Sequence, residues 1–491
     1  MLYNSTRDKT VKLTPSLAVL KGLSDDGGLF VPEDIPKIDK DIKELMNLDY
    51  RELAYEIMKL YFDDFTKEEL LYCINSAYDD KFDTPEIAPL VYADGAYYLE
   101  LFHGKTIAFK DMALSILPYL MTTAAKKNAV DDKILILTAT SGDTGKAALE
   151  GFAGVPGTSI MVFYPKDGVS KIQKLQMVTQ EGDNTSVIGV NGNFDDCQNG
   201  VKAIFNDQAF IKEAKEKGVR LSSANSINIG RLFPQTVYYF YAYLRLLREG
   251  KINDKDKINI CVPTGNFGNI LAAYYAGKMG LPVSRLICAS NDNKVLYDFF
   301  STGNYDRNRE FILTVSPSMD ILISSNLERL IYHISGNDTE KTSELMEALK
   351  TGGRYEITEE MKKGLSAFEA GFATQEETFE EIKKVFDDTG YVLDTHTAVA
   401  SRVLRDMNKK LSGESCVIAS TASPYKFAGS VMQAIEGKKT DEDVFDSVER
   451  LNRISKVEVP DAVSKIKNAA IRHNKTIEIS EMKKAVTDFL G

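Results

Sequence analysis

Short apolar runs recur along this chain with amphipathic helical stretches between them, and that alternation limits the fold more than any other feature. KILILTAT (133–140), TSIMVFY (158–164) and NTSVIGV (184–190) make one group; INICVPTGNFG (258–268), RLICASN (285–291) and SCVIAST (415–421) make a second. Strands that do not alternate with polar residues are apolar on both faces, as in parallel sheets covered by helices on each side. Two groups predict an α/β protein with two lobes, the smaller at about 130–225, and a cleft between them as the ligand site. AYYLELF (96–102) precedes a helical stretch from Asp111 to Asn128, in which Pro118 predicts a kink or an early break.

The flanking regions read differently. Residues 1–95 are expected to form a mostly helical domain with a loop-rich start: DGGLFVPEDIP (26–36) is dense in turn residues, and LDYRELAYEIMKLYF (48–62) has helical apolar spacing. The two-lobed core is expected over 96–435, with 325–390 as solvated helices, and a helical extension over 436–491. No internal repeat or low-complexity linker is evident.

Composition removes several function classes. The 491 residues, enough for about three domains, carry 60 Lys and Arg against 71 Asp and Glu, a net charge of −11. That balance argues against nucleic acid or an anionic membrane as partner. No apolar run is long enough to span a membrane, and the first residues lack a signal or transit pattern, so a cytoplasmic location is expected. The five cysteines (73, 197, 261, 288 and 416) are scattered and form no CxxC pair. With four histidines, no HExxH and no tryptophan, no metal site is expected. Any chemistry falls to Lys, Ser, Thr or a borrowed cofactor.

Three strand-to-helix loops suit anions. In PTGNFGN (263–269), Gly265 and Gly268 let backbone N–H groups approach an anion at a helix start. An ordinary tight turn is the plain alternative. The dinucleotide pattern GxGxxG fails, because Phe267 and Ile270 stand where glycines would be needed. TATSGDTGK (138–146) also fails as a P-loop, having Thr140 and Ala147 in place of the required residues. Its hydroxyls and amides suit a carboxylate, or else a helix start capped by Ser141 or Asp143. SSANSINIGRLFPQ (222–235) gathers Asn225, Ser226, Asn228 and Arg231, a set fit for a phosphate monoester or for a plain polar loop.

Lys110 lies between a strand and a helix beside Ile107, Ala108, Phe109, Met112 and Ala113. Apolar surroundings favour the neutral amine, the form that attacks an aldehyde.

In order along the chain, STR (5–7), LKGLSDDGGLFVP (20–32), ELFHGKTIAFKD (100–111), TATSGDTGKAA (138–148), NSINIGR (225–231), PTGNFGN (263–269), SPSMDI (316–321), SSNLER (324–329) and STASPYKF (420–427) closely resemble the threonine synthases, pyridoxal-phosphate enzymes of fold type II. The resemblance implies pyridoxal 5′-phosphate as cofactor and Lys110 as its Schiff-base residue. It implies that Gly265, Asn266, Phe267, Gly268 and Asn269 hold the cofactor phosphate and that Thr421 faces the pyridine nitrogen. Ser141 and Thr144 would receive the substrate carboxylate, and Ser226, Asn228 and Arg231 the substrate phosphate. The implied reaction is that of a carbon–oxygen lyase acting on phosphates: O-phospho-L-homoserine and water give L-threonine and phosphate by β,γ-elimination and replacement, the last step of threonine biosynthesis. The partner is then a small molecule, and the chain a monomer or homodimer.

Four positions depart from the family pattern. Lys105 replaces a proline, Thr395 a proline and Ser423 a histidine. Asp143 stands where the wider group often has asparagine near the cofactor's 3′-oxygen; an ionised Asp would repel that oxygen, so no cofactor contact is assigned to it. His103 and His396 fall in family-like blocks as supporting residues. Two alternatives stay open: another fold type II enzyme, such as a serine or threonine dehydratase or a cysteine synthase, and a catalytically idle relative that binds phosphorylated ligands.

Overall fold

The computed structural model describes residues 1–491 except 141, 168, 408–410, 412, 439–442 and 491. Its centre is a six-stranded sheet in the order Phe368–Phe372, Val283–Ser290, Ile258–Pro263, Cys416–Ser420, Ala96–Glu100, Leu90–Ala93. Every pairing in it is parallel except the last. That last pair is a hairpin closed by Asp94 and Gly95, both with positive φ (48° and 81°), as a two-residue turn matching strand twist requires. The boundary expected at 95 therefore falls inside a hairpin, and residues 90–95 belong with the large sheet.

The smaller sheet is all parallel, in the order Thr476–Glu478, Thr185–Asn191, Thr158–Pro165, Lys133–Ala139, Val219–Ser222. Its central strand Thr158–Pro165 is buried along its whole length, as an apolar run covered on both faces must be. Helices Asp143–Phe152 and Phe194–Asn206 lie among its crossovers.

Each apolar run named above forms a strand. The polar edges differ from expectation. The 325–390 stretch, read as helical, also contains Arg354–Glu356 and the edge strand Phe368–Phe372. The latter reads FEAGF, and a half-exposed edge does not need an apolar run. The C-terminal extension contributes the strand Thr476–Glu478 as well as helices. The stretch 111–128 is two helices, Asp111–Leu114 and Leu117–Lys127, with Pro118 in the first turn of the second, where its missing N–H costs nothing.

Of the N-terminal helices, Tyr50–Met58 packs against the core helix Pro234–Arg248, while Pro15–Lys21 and Lys67–Ala77 pack against Leu117–Lys127. Tyr50–Met58 starts with a reciprocal Asp49–Glu52 capping box, and Tyr61 stacks on Phe233 with ring centroids 3.9 Å apart. Two short strands, Tyr3–Ser5 and Phe30–Pro32, pair there as well.

Candidate active site

The site lies where parallel strands of both sheets end. After the strand Ala96–Glu100 the chain turns at Ile107 (φ 52°) and is fixed on both sides. The Thr106 N–H and hydroxyl bind the Asp111 carboxylate, at 2.8 and 2.6 Å, and Gly104 is packed so tightly on Asp111 that an added Cβ would lie 2.6 Å from its own. Phe109 N–H donates to Thr421 O and Ser423 N–H to Ile107 O, tying this loop to the end of the strand Cys416–Ser420. Lys110, at the start of the helix Asp111–Leu114, is held by this frame.

The Lys110 side chain is 11% exposed. Its Nζ donates to Ser318 Oγ at 3.0 Å and lies 3.3 Å from Asp143 Oδ2. Burial drives its pKa below the ordinary lysine value; Asp143 opposes that, while Lys426 and Arg231 add to it. Burial would raise the Asp143 carboxyl, but Lys426 and Lys110 outweigh it and hold it well below the usual carboxylate range. Asp143 comes from the other lobe, at the start of the helix after the strand Lys133–Ala139. It also accepts from Ser318 Oγ (2.8 Å) and Gln173 Nε2 (2.8 Å).

Ser318 is anchored through its main chain: its N–H donates to His396 Nε2 at 3.1 Å, and His396 Nδ1 faces Asp394 Oδ1 at 2.9 Å. His396 thus supports the site. His103 instead sits between Asp83 (2.6 Å) and Glu100 (3.0 Å), away from Lys110. Ser318, Gln173 and Lys426 are site residues that sequence reasoning missed. Ser318 and Lys426 lie inside two of the recognised blocks, but nothing in their spacing marked them.

The 263–269 loop leads into the helix Gly268–Met279, whose first-turn N–H groups have no side-chain cap and no intrahelical partners. Phe267 takes a left-handed conformation (φ 65°). Gly265 has no room for a side chain, since an added Cβ would lie 2.5 Å from Ser318 O. Asn269 Oδ1 accepts from Tyr238 and Tyr239, leaving its buried Nδ2 without a partner among the described residues. Asn326 Nδ2 donates to Asn266 O (3.1 Å) and to Ser226 O and Oγ (both 3.3 Å), so one amide links this loop to the 225–231 segment.

Arg231 is 3% exposed. One nitrogen donates to Ala224 O at 2.7 Å, and its buried Nε has no partner among the described residues. Burial alone lowers the guanidinium to about 10. Asn228 is largely committed to the fold: Nδ2 donates to Val19 O and Oδ1 accepts from Gly230 N–H. At the start of the helix Asp143–Phe152 the Thr140 hydroxyl, and not Asp143, accepts from Gly142 and Gly145 N–H at 2.9 Å each. Thr144 is half-buried in the first helical turn; Ser141 lies outside the described residues.

Family models match as "Threonine synthase N terminus" over residues 2–78, "Pyridoxal-phosphate dependent enzyme" over 87–421 and "Threonine synthase, C-terminal" over 397–475. Threonine synthase of Pseudomonas aeruginosa is 39% identical over 437 residues, 88% of this chain and 90% of that one. The chain belongs to the threonine synthase family. Crystal structures of threonine synthase from yeast (TM-score 0.89, 34% identity) and, with pyridoxal phosphate bound, from Brucella melitensis (0.86, 35%) each align with 100% of this chain and 98% of theirs. Human threonine synthase-like 1 is 40% identical over 87% of this chain, which spans 58% of that relative's length.

In this threonine synthase family member the residues present fit pyridoxal phosphate. The orphaned Asn269 amide and the uncapped helix start offer donors to a phosphate, beside a glycine that leaves no side chain in the way. A lysine with a depressed pKa offers the amine. Three of the family departures lie at its margins: Lys105 is exposed, Thr395 begins the helix that carries His396, and Ser423 caps the turn Pro424–Phe427 through Tyr425 N–H. The fourth, Asp143, is central. It bridges Lys110 and Lys426. Among the described residues no helix is long and apolar enough to cross a membrane.

Proposed function

We propose that this chain converts O-phospho-L-homoserine and water to L-threonine and phosphate, with pyridoxal phosphate carried on Lys110. The observation that carries the reading is the pairing of one depressed-pKa amine with two separate anion-ready places, the 263–269 loop and the Arg231 guanidinium. A reaction with one permanent phosphate and one leaving phosphate needs both.

The cofactor, when bound, supplies the electron sink that makes the substrate's carbon-bound protons removable. The chain's residues do the rest. Backbone N–H groups of 265–268 and Asn269 Nδ2 hold the cofactor phosphate, and Thr421 offers a hydroxyl to the pyridine nitrogen. Thr144 and Ser141 orient the substrate carboxylate. Ser226 and Arg231 hold the leaving phosphate, and Asn228 fixes the loop that presents them. Lys110 Nζ would accept the Cα proton, with Ser318 Oγ and Asp143 as its hydrogen-bond partners.

Purified protein supplied with O-phosphohomoserine should release threonine and phosphate in equal amounts. Lys110→Ala should abolish both, together with the visible absorbance of the bound cofactor. Turnover retained by that variant sinks the mechanism. α-Ketobutyrate as the main product would indicate a dehydratase, and cofactor bound without turnover would indicate an idle relative.

A further inference from the structure

The mechanism above leaves Lys426 without a task. Lys426 enters from the turn Pro424–Phe427, and its side chain is wholly covered. Its Nζ donates to Thr106 O at 2.8 Å and lies 3.3 Å from Asp143 Oδ1. The other oxygen of that carboxylate lies 3.3 Å from Lys110 Nζ. A single carboxylate therefore stands between two lysines from opposite ends of the chain's core.

We propose that Lys426 is a positioning residue: by occupying Asp143 it stops that carboxylate from locking Lys110 as an ammonium, and so keeps Lys110 ready to attack a carbonyl group. This rests on the reading of Lys110 as the cofactor-holding amine.

Charge counting gives the reason. A buried Lys110–Asp143 pair alone would favour both charged forms, because each removes the other's desolvation cost. With Lys426 present, the carboxylate is already neutralised. A second ammonium would then leave a net positive charge in a covered space that also holds Arg231. Lys426 is the more closely held of the two lysines. It has the Thr106 carbonyl as well as Asp143, and it feels Asp111, which also faces Glu150. Lys110 shares its side of Asp143 with the Ser318 hydroxyl. His396, itself paired with Asp394, also acts on Asp143. The depressed Lys110 pKa, to which Lys426 contributes, agrees with this arrangement.

The test follows the uptake of pyridoxal phosphate by the full-length chain freed of cofactor, from about pH 6 to about pH 10. The Lys110 amine joins the aldehyde carbon as C=N with loss of one water, and absorbance reports the rate. Borohydride trapping and peptide mapping show whether the bond is on Lys110. The rate tracks the fraction of free amine. Lys426→Met should raise the midpoint by about one pH unit or more, slowing capture about tenfold near neutrality. Lys426→Arg should keep the wild-type midpoint. Asp143→Asn should lower it, and the double variant Asp143→Asn/Lys426→Met should return toward wild type, a reversal that damaged packing would not produce. An unchanged or lowered midpoint in a folded Lys426→Met protein overturns the inference. If that variant does not fold, Asp143→Asn decides alone, and a midpoint that stays or rises overturns it. Wild-type protein that forms no bond at Lys110 overturns the underlying reading, a result distinct from any seen in the variants.

Discussion

Among the described residues, Arg231 keeps a guanidinium in a covered place with one neutral carbonyl as acceptor and Nε unpartnered. An anion there would gain charge-assisted hydrogen bonds worth about 1.5–3 kcal/mol each. Arg231→Ala should therefore raise the KM for O-phosphohomoserine roughly 10- to 100-fold and weaken inhibition by inorganic phosphate, with the cofactor absorbance unchanged. Loss of cofactor instead would contradict the assignment. His103 gives a different residue-scale prediction. Burial would lower its pKa, but hydrogen bonds to Asp83 and Glu100 raise it to about 9. A folded value above the unfolded one of about 6.5 stabilises fully below that lower value and is lost as pH rises through about 9. His103→Gln should thus lower the melting temperature most near pH 6 and little near pH 10; an equal loss at both would rule out the ion-pair account. Lys110 was legible in the sequence because the buried residues Ile107, Ala108, Met112 and Ala113 lie beside it along the chain and because ELFHGKTIAFKD (100–111) resembles the family's motif. Lys426 was not. Its partner Asp143 arrives from the other lobe, and nothing beside it in STASPYKF (420–427) signals that.

At the scale of elements, the 263–269 loop is shaped by what touches it from outside. Gly265 faces the Ser318 carbonyl, which is itself placed by His396. Gly265→Ala must push apart the 263–269 loop and the segment that holds Ser318. Affinity for pyridoxal phosphate should fall at least tenfold, by equilibrium titration, while the fold persists; wild-type affinity would mean that the loop does not hold the phosphate. Strands were legible in proportion to their burial. Lys133–Ala139 and Ile258–Pro263 are covered on both faces over most of their length and are largely apolar, so each stands out. Phe368–Phe372 and Val219–Ser222 lie at sheet edges, where one flank needs no partner and polar residues are tolerated. The cap of the helix Asp143–Phe152 escaped notice because Thr140 reaches it across Gly142, whose φ of 134° is open to glycine alone.

For the whole molecule, the site needs both sheets, since Lys110 and Lys426 follow strands of the larger and Asp143 follows a strand of the smaller. The smaller sheet in turn needs the end of the chain. Thr476–Glu478 pairs in parallel with Thr185–Asn191, and Arg472 and His473 N–H groups donate to Val178 O. The helix Met482–Phe489 buries Met482, Ala485 and Val486 in the same apolar cluster as Cys197, Val201 and Ile204 of Phe194–Asn206. Gly200 is where the two helices meet: an added Cβ would lie 2.3 Å from Met482 Sδ. A chain ended at Ala470 would uncover that face and the edge of Thr185–Asn191. Each buried aliphatic side chain lost is worth about 1.5–3 kcal/mol, and an unpaired apolar strand edge is a template for association. The shortened protein should melt well below the full chain and scatter light on standing, and Gly200→Leu in the full chain should lower the melting temperature in the same direction. The loss of cofactor capture should follow the loss of fold, because Lys133–Ala139, which leads to Asp143, is separated from the exposed edge by Thr158–Pro165 and Thr185–Asn191. A shortened chain that stays folded and dispersed yet no longer captures pyridoxal phosphate would show instead that the extension acts on the site directly.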